Sequence, residues 1–191
     1  MLFRSNLTYE VRESIVKHSP PYDKPLAQGF DPGLAPCLEA QIVDYADEIA
    51  YNSHDIDDGL KSGLLTVEQL SEVEFWQRAA QEVKREFANI GPLQFQPAVI
   101  RRLVGWQVND LLQETGRGLK ENGIESIHDV RKYPEILVRP SLEVRGLKAD
   151  LEKFLHRVVY RHHRVMRMAN KGQRILRQLF EEFRIAPAQL P

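Results

Sequence analysis

Only one cysteine, Cys37, occurs among the 191 residues. An intrachain disulfide and a cysteine-based zinc site are therefore excluded, and the usage fits a reducing cytoplasm. No apolar run reaches 18 residues, so no membrane-spanning helix is expected. The segment Met1-Leu2-Phe3-Arg4-Ser5 lacks the apolar stretch of a signal peptide. Neither sign of charge dominates: 26 basic residues face 27 acidic ones, for a net charge of -1. Such a chain has no global field to hold a nucleic-acid backbone, and nucleic acid is not an expected partner. The basic run 161–167 reads as a solvated helix face. A Walker A glycine loop, a dinucleotide-binding glycine fingerprint and a Gly-x-Ser-x-Gly elbow are all missing, which argues against a P-loop NTPase, a dinucleotide oxidoreductase and a serine hydrolase.

What is present is 42% hydrophobic and 28% charged residues, ordinary for a globular domain. The prolines cluster, leaving long stretches free to be helical. The pattern predicts a short helix over 8–18, stopped by the prolines of 19–25, and a helix over 38–60 in which Ile42, Ile49 and Ile56 recur every seven residues. Thr66 and Gln69 form a capping-box pattern opening a helix to about Asn89. Another begins at Gln96 or Pro97, with Ile100, Leu103, Val104, Val108, Leu111 and Leu112 inward, and frays over 116–123. Residues 126–140 are least regular, with Ile136-Leu137-Val138 as a short extended segment. A long helical stretch over 147–183, broken near Gly172, buries an apolar set from Leu151 to Phe183, and Pro187 and Pro191 close it. No internal repeat is visible. The expected fold is all-α, a compact bundle of five to seven helices in one domain over 1–191.

The informative stretch runs from Asp44 to Gly59. On a helix, residues four apart are offset by about 40°, so Asp47, Tyr51 and Asp55 form a stripe, flanked by Asp44, His54 and Asp58. One reading is a solvated face. The other is a cation or sugar site, since carboxylates are hard ligands for Mg²⁺ or Mn²⁺. No lysine or arginine interrupts these acids before Lys61, whereas a plain surface helix mixes signs.

The segment Asp47-Glu48-Ile49-Ala50-Tyr51-Asn52-Ser53-His54-Asp55-Ile56-Asp57-Asp58-Gly59 resembles a signature of bacterial deoxyguanosinetriphosphate triphosphohydrolase-like proteins, within the HD superfamily. So does Asn6-Leu7-Thr8-Tyr9-Glu10-Val11-Arg12-Glu13-Ser14-Ile15-Val16-Lys17-His18-Ser19. Phe154-Leu155-His156-Arg157-Val158-Val159-Tyr160-Arg161-His162 and Leu179-Phe180-Glu181-Glu182-Phe183 are similar to the family's closing helices. The resemblance implies an HD-type fold, with 1–63 as the end of the catalytic core and 64–191 as a C-terminal helical region. It implies a metal-dependent hydrolysis of a dNTP to deoxynucleoside and tripolyphosphate, and a homo-oligomeric, cytoplasmic protein. The family's metal ligands follow the order His…His-Asp…Asp, and the last of them maps to Asp47. The residues four and eight further on, here Tyr51 and Asp55, contact the sugar, the ring crowding the 2′ position and the carboxylate accepting from the 3′-hydroxyl. Lys17 and Arg102 are the candidates for neutralising the triphosphate.

In the family the His and the His-Asp pair precede the Asn-Leu-Thr segment, which here begins at Asn6. Three of the four ligands are thus expected to be absent, and this chain alone is expected to be inactive. The competing reading is a non-catalytic nucleotide-binding or oligomerisation module. His54-Asp55 and His128-Asp129 are not taken as the metal pair: the first lies inside the sugar motif and the second resembles a helix start. His162 and His163, adjacent on a helix, are expected to diverge. Trp76 and Trp106 read as core.

Overall fold

The structure is a computed structural model that describes residues 6–18 and 29–189; the terminal segments 1–5 and 190–191 and the expected proline stop at 19–25 lie outside the described residues. Eight α-helices occur among them and no strand, so the all-α expectation holds. α1 (Tyr9–Lys17) starts where Thr8 accepts from the Val11 amide. α2 (Leu38–Lys61) buries Ile49, Asn52, Ile56 and Gly59 along one face. The capping box forms as read, Thr66 and Gln69 bonding reciprocally, but the helix it opens is a single turn, α3 (Val67–Leu70). Val73 turns extended, which tucks its side chain and that of Leu70 into the core, and α4 (Glu74–Glu86) starts afresh from it.

The next helix begins earlier than its pattern suggested. α5 (Pro92–Glu121) carries Pro92 in its first turn and Pro97 in its interior. A proline at the first helical position costs nothing, because that amide has no helical partner anyway, and Pro97 gives up one bond within a helix of 30 residues. Residues 116–121, expected to fray, stay helical because Leu111, Thr115 and Gly118 continue the buried face. The stop is Gly123, whose positive φ of 62° lets the Ile124 amide reach back to the Leu119 carbonyl at 2.9 Å. Val108 and Leu112, expected inward, are exposed on this helix.

α6 (Ile127–Lys132) is a short helix capped by Ser126 and Asp129, so His128-Asp129 is indeed a helix start. The segment 136–138, expected to be extended, forms no strand and bends at Leu137. Instead the amides of Leu137 and Val138 both donate to Oε1 of the fully buried Gln41, at 2.8 and 3.2 Å. The Gln41 amide group in turn donates to the Pro36 carbonyl at 2.9 Å. One side chain thus satisfies backbone groups that a sheet would otherwise pair.

α7 (Leu142–Leu155) ends in a π turn over His156–Tyr160, and α8 (His163–Ile185) follows, then a 3₁₀ turn, Pro187–Gln189. The break in the expected long helix therefore falls at 161–162, not near Gly172. The core joins Ile56, Leu65, Leu70, Phe75, Trp76, Val83, Val99, Leu103, Leu151 and Leu155. It is built from α2, α4, α5 and α7. Trp76 is core, as expected, and Trp106 is partly buried with its ring stacked 6.1 Å from Phe75. α8 buries nothing, contrary to the apolar set assigned to it.

α1 is held by a buried ion network. Both oxygens of Glu13 accept from Arg131, at 2.7 and 2.8 Å, and Lys17 adds a third contact at 2.7 Å. The paired guanidinium keeps the Glu13 carboxyl near 2, against an ordinary 4.5. A carboxyl held that low stabilises the fold fully above its ordinary value, and the contribution drains away as the pH falls towards 2. Glu13→Gln leaves two cations without their anion and is expected to cost about 3 kcal/mol. Urea unfolding at pH 7 and pH 3 checks this: the loss should be large at pH 7 and smaller at pH 3, and an equal loss at both would contradict it.

Candidate functional site

α2 is two-faced. Because Ile49, Asn52, Ile56 and Gly59 point to the core, the other side of the helix turns Asp47, Tyr51 and Asp55 outward. Asp47 is exposed, the Tyr51 ring is 59% accessible and Asp55 is half-buried. The expected stripe is therefore present as a surface. Asp44, one turn before Asp47, bonds the Nδ1 of His18, which sits at the C-terminal end of α1.

A polar seam ties this helix to the C-terminal region. Lys148 of α7 bonds Glu48 and lies 3.0 Å from Glu152, while Asn52 donates to Glu152 at 2.9 Å. Burial alone would lower the Lys148 ammonium; the bonds to the two glutamates outweigh it and raise it. At the end of the seam the Tyr160 hydroxyl donates to Asp55. The π turn delivers it: one extra residue in the turn shifts the side chains that follow, a device frequent at functional sites. Tyr160 also meets His156 edge-on at 6.1 Å, and its contact with Asp55, 105 residues away, leaves no trace in spacing. Burial raises the Asp55 carboxyl, as does the charge of Asp58; the Tyr160 bond and His54 oppose them. The Tyr160 phenol is pushed well above its ordinary range by burial and by the Asp55 bond.

The two expected phosphate-binding cations are each engaged by other partners. Lys17 spends its ammonium on Glu13, the Asp31 carbonyl at 2.8 Å and the Leu34 carbonyl at 2.7 Å. Arg102 pairs with Glu82 at 3.3 Å and with Glu86, facing α4. It lines a cleft of about 970 Å³ between α4 and α5, together with Phe87, Pro97 and Trp106. His162 and His163 do not diverge: His162 is the extended cap of α8, which leaves the two rings 4.3 Å apart.

As a metal centre the site does not close on itself. Among the described residues no three of His, Cys, Asp and Glu converge on one point. Asp47 offers a single carboxylate, which is too little for a divalent cation. No helix among the described residues is long and apolar enough to cross a membrane.

Comparison with known proteins places the chain. Residues 138–191, from the Gln41-bonded loop through α8, match the phosphohydrolase-associated domain. Over those residues the chain is similar to a domain associated with phosphohydrolases. More particularly, it is homologous to the C-terminal part of deoxyguanosinetriphosphate triphosphohydrolase-like proteins. It is 43% identical over 188 residues to the one from Geobacter sulfurreducens, covering 97% of this chain and 49% of that protein. To that of Bordetella pertussis it is 41% identical over 190 residues, with the same two coverages. To that of Ralstonia nicotianae it is 42% identical over 190 residues, again 97% and 49%. The chain spans about half the length of the curated relatives it matches.

Tyr160→Phe removes the bond that holds the Asp55 carboxyl down while leaving the burial and the Asp58 charge that raise it. The Asp55 titration midpoint, followed by carboxyl ¹³C NMR, should therefore move upward. A midpoint that stays or falls would show that the hydroxyl is not Asp55's partner in solution.

Proposed function

We propose that this chain is the sugar-holding part of a divalent-metal-dependent dNTP triphosphohydrolase, in which Asp47 lends one carboxylate to a metal centre that these residues alone do not complete. The reaction is hydrolysis at the α-phosphorus. Water oxygen bonds to phosphorus, the bond from phosphorus to the 5′ oxygen breaks, and the 5′ oxygen takes up a proton. Deoxynucleoside and tripolyphosphate result.

The observation that supports this reading is the pairing of a tethered carboxylate with an exposed ring on one helix face. Asp55 is half-buried and bonded on one side by Tyr160, which holds it in place while its remaining lone pairs stay available to a 3′-hydroxyl. Tyr51 lies one turn earlier with its ring open to the ligand side, where it crowds a ribose 2′-hydroxyl and admits a 2′-hydrogen. Such positioning gives rate by holding the α-phosphate in line for attack. Lys17 and Arg102 keep their proposed role of meeting the triphosphate only by exchanging the carboxylate and carbonyl partners they now have.

The test uses the purified chain and equilibrium binding of dGTP and GTP, without turnover. The deoxynucleotide should bind more tightly, Tyr51→Ala should level the two, and Asp55→Ala should weaken dGTP about ten- to a hundredfold, the range of one hydrogen bond to a charged group. Equal binding of the two nucleotides by the unaltered chain would sink the sugar assignment. The chain by itself should release no tripolyphosphate. A chimaera carrying the N-terminal half of the Geobacter sulfurreducens relative should do so, and should lose about 100-fold or more on Asp47→Ala; retained activity there would remove Asp47 from the metal centre.

A further inference from the structure

Tyr160 meets both side chains assigned to the sugar. Its hydroxyl bonds Asp55, and the Tyr51 hydroxyl lies near enough to join Asp55 in raising the Tyr160 phenol. Tyr51 and Asp55 stand one helical turn apart on the same side of α2, so a group reaching that side from another element can touch the two together. That element is the π turn His156–Tyr160, which lies within the residues matching the phosphohydrolase-associated domain.

The turn is firmly seated. Val159 is buried in the core, and it packs on α2 at Gly59, one turn beyond Asp55. A Cβ at Gly59 would stand 3.7 Å from a Val159 methyl and only 3.1 Å from the Leu65 Cβ, so the missing side chain keeps this approach open. With Val159 fixed there, Tyr160 is delivered to Asp55, half-buried and braced edge-on by His156 at 6.1 Å.

The chemistry of the three groups sets the direction of their bonds. A carboxylate only accepts, whereas a tyrosine hydroxyl has one hydrogen to give and lone pairs that receive. The Tyr160 hydrogen is therefore committed to Asp55. Its oxygen is left as an acceptor, and Tyr51 has a hydroxyl hydrogen to offer it. Bonds linked in this way strengthen one another. Tyr51 needs such an anchor to discriminate. Its ring is 59% exposed, and an exposed side chain left to itself changes rotamer within nanoseconds. A ring free to swing aside excludes a 2′-hydroxyl only weakly, whatever its bulk.

We propose that Tyr160 is a positioning residue for sugar selectivity, receiving the Tyr51 hydroxyl while donating to Asp55 and so locking the ring that separates deoxyribose from ribose. This role rests on the sugar reading given above and adds to it a share for the phosphohydrolase-associated domain in the choice of substrate.

The test compares equilibrium binding of dGTP and GTP by the unaltered chain, by Tyr160→Phe, by Tyr51→Phe and by the double variant. Tyr160→Phe should cut the preference for dGTP about three- to tenfold, the worth of one neutral hydrogen bond. Tyr51→Phe keeps the ring and loses only its anchor, so it should cut the preference equally, and the double variant should be no worse than either single one. A full preference in either single variant overturns the role of Tyr160 and leaves the sugar reading intact, since that reading needs only the ring. No preference in the unaltered chain overturns both. A second measurement needs no ligand. Order of the Tyr51 ring, followed by ¹³C relaxation, should fall in Tyr160→Phe, while that of Tyr133, bonded to Asn122, stays. Loss of order at both rings would mean that the hydroxyl serves the fold as a whole, and an equally ordered Tyr51 would mean that it is not the anchor; either result overturns the proposal.

Discussion

The candidate site depends as a whole on the docking of α2. One face of that helix must enter the core, Ile56 at its centre, and this burial dictates which side chains are left outside. With 3.6 residues per turn, burying Ile49, Asn52, Ile56 and Gly59 leaves no freedom over where Asp47, Tyr51 and Asp55 go. Rotating the helix to bury the acids would strand uncompensated charge. The hydrophobic requirement and the cost of hiding carboxylates thus select the same orientation, and the acidic stripe is a by-product of packing before it is a site.

The polar seam between α2 and α7 adds precision to that orientation. Packing fixes the roll of a helix to within a few tens of degrees, but Lys148 between Glu48 and Glu152, Asn52 on Glu152 and Tyr160 on Asp55 specify individual side chains. These partners come from the C-terminal region, part of which matches the phosphohydrolase-associated domain. That region therefore meets the candidate site through geometry, with the Tyr160 hydroxyl bonded to Asp55.

The stripe, the capping box at Thr66, the helix start at His128-Asp129 and the core role of Trp76 were legible in the sequence because each rests on spacing within one turn or one helix. What was not legible involved distance or choice of partner. The Tyr160 bond to Asp55 joins residues 105 apart. Pro97 looked like a boundary because a proline usually is one, yet it sits inside a helix that Pro92 had already started. The apolar residues of α8 were read as core because periodicity reports that a face wants burial and is silent on what buries it. Val108 and Leu112 were misplaced for the same reason.

Gln41 carries a consequence for how the chain tolerates change. A strand in a sheet is pinned by many ladder bonds, so its register is shared among them. Here a single amide oxygen receives the Leu137 and Val138 amides at once. The register of the crossing loop is consequently indexed by one side chain, and an inserted residue between these two amides cannot be absorbed by sliding. Evolutionary length variation in this crossing should gather on the exposed side, around Glu135 and Ile136, while the two-residue step onto Gln41 keeps its length.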